Sequence, residues 1–107
     1  MKYKILTMCA GANVRSVGLK YLLKYKYGHE ALACGQDANT IETRNMLCDW
    51  ADYVIVVDKE YAPEVPEKYK DKLLIYDIGV DRFGYAFHPE LLTIADQCII
   101  QHGLFNK

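Results

Sequence analysis

The stretch KILTMCAGANVRS, residues 4–16, contains most of the information about the fold and the chemistry. Its apolar beginning predicts a strand over residues 3–8 that is buried on both faces. Cys9 follows, and five residues later Arg15 and Ser16 open a helical pattern. Loop and helix N-terminal N–H groups point at anions, and a guanidinium can bind two phosphate oxygens. The stretch therefore predicts a phosphate-binding loop whose positive field favours the thiolate form of Cys9.

The rest of the chain predicts strands and helices in alternation. Strands are expected over residues 30–34, 53–57 and 73–77, and helices over residues 15–27, 40–49 and 89–101. Pro63 and Pro66 break up the helical stretch before the last strand. This order predicts an α/β fold, with a four-stranded parallel sheet, helices on both faces and Rossmann-like layering. The 107 residues are expected to form a single domain, residues 1–107.

Two further expectations concern local structure. The helix over residues 40–49 is expected to bury four apolar side chains, which are Ile41, Met46, Leu47 and Trp50. The last helix begins at Pro89, and His88 is a candidate for its cap.

The fold class predicts where a site should form. In parallel α/β folds, ligands bind beyond the carboxyl ends of the strands. Cys9, Asp58 and residues 77–84 all follow predicted strand ends. We therefore expect them to converge on one site.

Charge and cysteine content exclude several classes of protein. A net charge of −1 gives no electrostatic argument for nucleic acid or an anionic membrane. No apolar run reaches the length of a membrane span, and the N-terminus lacks a signal-peptide cleavage pattern. The three histidines lack metal-ligand spacing, and Cys34, Cys48 and Cys98 are expected to fill the core. Without a disulfide framework, the expected compartment is the reducing cytoplasm.

The chain resembles the low-molecular-weight protein tyrosine phosphatases, in a compact form of bacterial or phage size. That family's signature is a Cys, five residues and then Arg-Ser after the first strand, which Cys9, Arg15 and Ser16 match, as Gly11 matches its usual glycine. Residues 50–58 resemble the family's third strand and the segment that leads into it. Residues 81–84 resemble its late Asp-Pro-aromatic loop.

The resemblance implies a role for each matched residue. Cys9 is the nucleophile, Arg15 holds the phosphate, Ser16 hydrogen-bonds the thiolate and Asp81 is the general acid, with Asp77 as its rival. The implied substrate-binding residues are the loop positions Ala10, Gly11, Ala12, Asn13 and Val14, and the aromatic residues Phe83 and Tyr85. These two residues and Phe87 either line the pocket or cover the edge of the core.

The chain departs from the family pattern at two places. Ala12 stands where the family carries an asparagine, and Asn13 lies one position later. Arg82 replaces the proline that follows the acid. The first change implies different hydrogen bonds within the loop, and the second implies a less rigid acid loop.

The expected activity is cysteine-dependent hydrolysis of phosphomonoesters, foremost of phosphotyrosine, through a phosphocysteine. The expected substrates are a phosphorylated protein or a small aryl phosphate, and neither a metal nor an organic cofactor is required. Three alternatives remain open: a phosphocarrier of the IIB type from sugar phosphotransferase systems, a thiol-dependent arsenate reductase, and a phosphate-binding protein of weak activity. Arg15 disfavours the first. Val14 disfavours the second, because many relatives carry a second loop cysteine there.

Overall fold

A parallel sheet forms the centre of the computed structural model, which describes residues 2–11, 14–35, 39–80 and 82–106. Within these ranges four strands pair in the order β2-β1-β3-β4. The strands are β1 (Lys4–Cys9), β2 (Glu30–Gly35), β3 (Tyr53–Val56) and β4 (Leu73–Ile75). All three pairings are parallel, and Cys9 lies opposite Gly35 at the carboxyl edge. The predicted fold class is confirmed.

Helices cover both faces of this sheet. They are α1 (Arg15–Tyr21), a π-helical turn (Leu22–Lys26), α2 (Ile41–Trp50), two 3₁₀ helices (Lys59–Glu64 and Glu67–Lys72) and α3 (Pro89–His102). α1 packs against α3 on one face. α2 contacts β1, and both 3₁₀ helices contact β3. Because crossovers between parallel strands are right-handed, we expect these helices on the other face. No helix in the described ranges is long and apolar enough to cross a membrane.

Side-chain caps explain where two helices begin. Thr40 Oγ1 accepts a 3.2 Å hydrogen bond from the N–H of Thr43 at the start of α2. His88 Nδ1 accepts one of 3.1 Å from the N–H of Glu90, which confirms the predicted cap of α3. Because the first N–H groups of a helix lack partners within it, each cap fixes the helix start.

The ends of two predicted elements are corrected. The helix expected over residues 15–27 ends at Tyr21 as α-helix and continues as the π-helical turn. The fourth strand, expected to reach Asp77, ends at Ile75. A 2.8 Å hydrogen bond from the N–H of Ile78 to the Tyr76 carbonyl closes a tight turn around Asp77, which is exposed.

Two of the four core contacts expected from α2 are wrong. Ile41 is 62% exposed and Met46 is 69% exposed, whereas Leu47 and Trp50 are partly buried against the core. The buried residue of α2 is Cys48. At 3.6 residues per turn, Met46 lies on the opposite face of the helix from Cys48. Ile41 shares the face of Cys48 but lies two turns earlier, at the first position of the helix.

Gly18 lets α1 approach the loop that precedes α3. A Cβ atom at this position would lie 2.7 Å from the carbonyl oxygen of Ala86 and 3.0 Å from Cδ2 of Leu91. The nearer atom belongs to the backbone and cannot rotate away. The helix that begins at Arg15 is therefore in direct contact with the loop after β4.

Replacing Gly18 by alanine should destabilise the protein by about 1–3 kcal/mol, the usual cost of overpacking, despite the better helix propensity of alanine. Urea unfolding measures this change. Lys20→Ala, on the same helix without a new backbone clash, should stay within about 0.5 kcal/mol of the parent protein. Equal stability of the Gly18→Ala variant and the parent would contradict the close packing.

Candidate active site

Cys9 and Ser16 join the end of β1 to the start of α1. Cys9 is only 3% exposed, and its Sγ lies 3.0 Å from Oγ of Ser16. Thr7, two residues earlier on β1, donates a 2.8 Å hydrogen bond from its hydroxyl to the Ser16 carbonyl. These contacts hold the Cys9 thiol beside the Ser16 hydroxyl, the pair that the family resemblance predicted to be hydrogen-bonded.

Arg15 is buried and is held by two acceptors. It is 4% exposed, and its Nη1 donates to the Gly79 carbonyl at 2.8 Å. Its Nη2 donates to the Tyr61 hydroxyl, also at 2.8 Å. Its Nε is buried and donates to no group in the described part of the chain. A buried charged donor without an acceptor is costly, so the arrangement favours an anion at this nitrogen.

The remaining N–H groups of Arg15 suit an acceptor with two oxygens. A guanidinium carries five N–H groups in a planar fork. Gly79 and Tyr61 each take one from a terminal nitrogen. Within the described residues, the Nε–H and one N–H on each terminal nitrogen are left. One edge of the group can therefore make paired hydrogen bonds to two oxygens of a phosphate.

Of the residues expected to converge beyond the strand ends, the structure brings Gly79, one of residues 77–84, to Arg15. Arg15 follows β1, and its two acceptors follow β3 and β4. Asp58 does not supply the contact from β3. Its Oδ1 accepts from the N–H of Glu60 at 3.1 Å and so caps the first 3₁₀ helix. Tyr61, three residues later, is the residue that reaches Arg15, and sequence reasoning missed it.

The backbone at Gly79 explains the contact from β4. Its φ is +89°, a left-handed conformation that side chains other than hydrogen strongly disfavour. The preceding Ile78 is buried and donates its N–H to the Val57 carbonyl at 3.0 Å. Anchored there, the chain turns the Gly79 carbonyl toward Arg15.

The predicted loop residues are described in part. Ala10 is half-buried, Gly11 is exposed, and Val14 is half-buried and precedes α1 without a side-chain cap. Ala12 and Asn13 lie outside the described residues, as does Asp81, the candidate acid.

The two predicted aromatic residues differ in exposure. Phe83 is 4% exposed and belongs to the core cluster, so of the two alternatives it takes the core position. Arg82 covers it, with Cζ 4.6 Å from the ring centroid, and pairs with Glu90 at 2.8 Å. Tyr85 is 55% exposed and has surface available for a ligand.

The other three cysteines are core residues, as predicted. Cys34, Cys48 and Cys98 are buried. Burial raises the pKa of Cys34 to about 12 and also raises the pKa of Cys48. The pKa of the Cys98 thiol is raised by burial and then by the nearby Asp77 carboxylate. These thiols therefore stay neutral near pH 7. Among the described residues, no group of three or more His, Cys, Asp or Glu side chains is arranged to hold a metal ion.

The chain is therefore a small parallel α/β protein with a cysteine at the end of the first strand and an arginine at the start of the first helix. No protein-family model matches the chain, and the search of curated proteins found no match. Solved structures do match.

Three solved structures illustrate the similarity of fold. Wzb from Vibrio vulnificus, in complex with benzylphosphonate, has a TM-score of 0.70 at 16% identity, over 95% of this chain and 97% of that one. A low-molecular-weight protein tyrosine phosphatase from Streptococcus pyogenes has a TM-score of 0.69 at 14% identity, over 95% of this chain and 91% of that one. The YwlE arginine phosphatase from Geobacillus stearothermophilus has a TM-score of 0.64 at 20% identity, over 94% of this chain and 92% of that one. The chain has the fold of the low-molecular-weight phosphatases, which confirms the resemblance at that level.

Proposed function

We propose that this protein hydrolyses phosphomonoesters, foremost phosphotyrosine, through a covalent phosphocysteine at Cys9. The observation that carries the proposal is the buried Arg15, whose Nε lacks an acceptor in the described residues while its terminal nitrogens are held at 2.8 Å. A bound phosphate would supply the missing acceptor. The fold shared with tyrosine and arginine phosphatases supports the same reaction class.

In the first step the Cys9 thiolate attacks phosphorus, and an S–P bond forms as the bond from phosphorus to the aryl oxygen breaks. Arg15 and the loop amides stabilise the charge on the equatorial oxygens. Asp81, protonated, gives its proton to the departing oxygen, because a phenol has a pKa near 10 and leaves poorly as the anion.

In the second step water attacks the phosphocysteine. Asp81, now ionised, takes a proton from that water, and the S–P bond breaks to release inorganic phosphate and the thiolate. Ser16 donates a hydrogen bond to the departing thiolate, a role that the 3.0 Å distance between its Oγ and the sulfur supports. The cycle consumes one water and regenerates Cys9 unchanged.

The substrate is a phosphorylated protein or a small aryl phosphate. Tyr85 is 55% exposed and offers a ring against which an aryl group can stack. A nucleophilic thiolate requires reducing conditions, so we assign the protein to the cytoplasm.

Trapping the intermediate tests the proposal. The purified protein is mixed with an aryl phosphate, quenched in acid within the first turnover and analysed by intact mass and peptide mapping. We expect one added phosphoryl group on the Cys9 peptide and a burst of phenol equal to the enzyme concentration. Turnover with the phosphoryl group on another residue, or with no covalent species and no burst, would overturn the covalent mechanism.

Arg15→Lys keeps the charge but should lower kcat/KM for an aryl phosphate by roughly 10²–10³-fold, the usual cost of removing an oxyanion donor. An ammonium cannot bind two oxygens in a planar fork, nor reach the Gly79 carbonyl and the Tyr61 hydroxyl as Arg15 does. Steady-state kinetics measure the loss, with the exposed Arg82→Lys as the matched control. Normal kinetics for Arg15→Lys would refute the paired hydrogen bonds.

A further inference from the structure

We infer that Tyr61 is a positioning residue for Arg15, whose guanidinium its hydroxyl holds in the orientation that receives phosphoryl oxygens. The inference rests on the proposed function and adds a residue to it. Tyr61 belongs to none of the motifs that the sequence presents, and its contact with Arg15 spans 46 positions of the chain.

The contact lies where water cannot easily replace it. The Tyr61 hydroxyl accepts from Arg15 Nη2 at 2.8 Å, and the two residues are 8% and 4% exposed. A buried N–H that loses its acceptor keeps the whole cost of its desolvation. Without the hydroxyl, the Arg15 guanidinium would rotate toward another acceptor. The Gly79 contact alone cannot fix its orientation, so the edge that binds phosphate would turn away.

Tyr61 lies in the first 3₁₀ helix, whose backbone is held by several hydrogen bonds. The first 3₁₀ helix begins directly after β3, where Asp58 caps it and accepts the N–H of Tyr61 on its carbonyl at 3.1 Å. One residue later, the Ala62 carbonyl accepts from Lys70 Nζ at 2.5 Å. The position of the hydroxyl is therefore set by the central sheet and not by a free loop.

The chemistry of the acceptor matters as much as its position. Both groups that hold Arg15 in the described residues, the Gly79 carbonyl and the Tyr61 hydroxyl, are neutral. A carboxylate in their place would compete with phosphate for the paired hydrogen bonds and would neutralise the positive charge. A phenol accepts one hydrogen bond and leaves the charge of Arg15 available to a dianion.

Tyr61→Phe tests the inference, because it removes the hydroxyl and keeps the ring. Affinity for inorganic phosphate, measured by calorimetry, should fall roughly 10- to 10²-fold, the range expected when a charged buried donor loses its acceptor. In the same variant, kcat/KM for an aryl phosphate should fall at least as far. Unchanged phosphate affinity would overturn the positioning role.

Tyr69→Phe is the matched control for lost stability. Tyr69 lies in the second 3₁₀ helix, is buried, and donates its hydroxyl proton to Asp49 Oδ1 at 2.5 Å. Removing that hydroxyl should lower Tm without changing phosphate affinity. If both variants lose phosphate affinity in proportion to their loss of Tm, Tyr61 has only a structural role.

A double variant isolates the coupling to Arg15. In an Arg15→Lys background there is no guanidinium to orient, so Tyr61→Phe should cause little further loss of phosphate affinity. An equal factor in both backgrounds would overturn the inference. If the parent protein binds phosphate but does not turn over an aryl phosphate, the proposed function fails and the binding measurements still decide the role of Tyr61. A parent protein that binds no phosphate overturns both.

Discussion

Replacing Cys9 by serine should abolish turnover of an aryl phosphate, with a loss on the order of 10⁵–10⁶-fold in kcat, as when a covalent nucleophile is removed. Serine is nearly isosteric but is not ionised near pH 7, and its oxygen cannot match a thiolate as nucleophile without an added base. The oxyanion site should survive, because Arg15 keeps its contacts with Gly79 and Tyr61. Phosphate affinity should therefore stay close to that of the parent protein.

The same substitution at Cys98 is the matched control. This thiol is buried on α3, its pKa is raised, and it has no part in the proposed chemistry. Cys98→Ser should retain turnover even if its Tm falls. If Cys9→Ser keeps near-normal kcat, or if Cys98→Ser loses turnover while folded, the assignment of the nucleophile is wrong.

Asp81→Asn should slow hydrolysis of a phenyl phosphate by roughly 10²–10⁴-fold, the usual contribution of a general acid. The reason lies in the leaving group, because an asparagine amide cannot protonate the departing oxygen. The loss should shrink steadily as the aryl group becomes more electron-withdrawing, since a stable phenolate leaves without a proton. A series of substituted aryl phosphates, compared by kcat/KM, measures that dependence.

Asp77→Asn separates the two candidate acids. Asp77 is exposed in the turn after β4, and its charge acts on Cys98 of α3. We expect this variant to show at most a small, leaving-group-independent change in rate. Should the leaving-group dependence steepen in Asp77→Asn and not in Asp81→Asn, the roles of the two carboxyl groups are reversed.

The layered sheet could be predicted because the signals for it are local. Buried parallel strands are largely apolar runs, such as residues 4–8 and 53–57, and the spacing from Cys9 to Arg15 marks the loop between the first strand and the first helix. The contact of Cys9 with Ser16 also lies within that segment. Such features depend on neighbours in sequence, so a pattern can reveal them.

The acceptors of Arg15 could not be predicted, because they depend on tertiary geometry. Tyr61 sits in a short 3₁₀ helix whose side chains have no apolar period, and Gly79 acts through a backbone carbonyl that any residue possesses. The exposure of Ile41 likewise depends on where α2 begins relative to the core. The sequence signal for Tyr61 is its place in the first segment after the carboxyl end of β3.

The span of the two bonds from Arg15 has a consequence for the order of assembly. They connect residues 46 and 64 positions apart. Closing loops of this length costs conformational entropy before the contacts can form, so we expect both bonds to form late in folding. A chain emerging from the ribosome has the Cys9 loop and Arg15 long before Tyr61 and Gly79 are synthesised. The anion site is thus completed only when β3 and β4 have joined the sheet, and until then Arg15 lacks both acceptors that orient it.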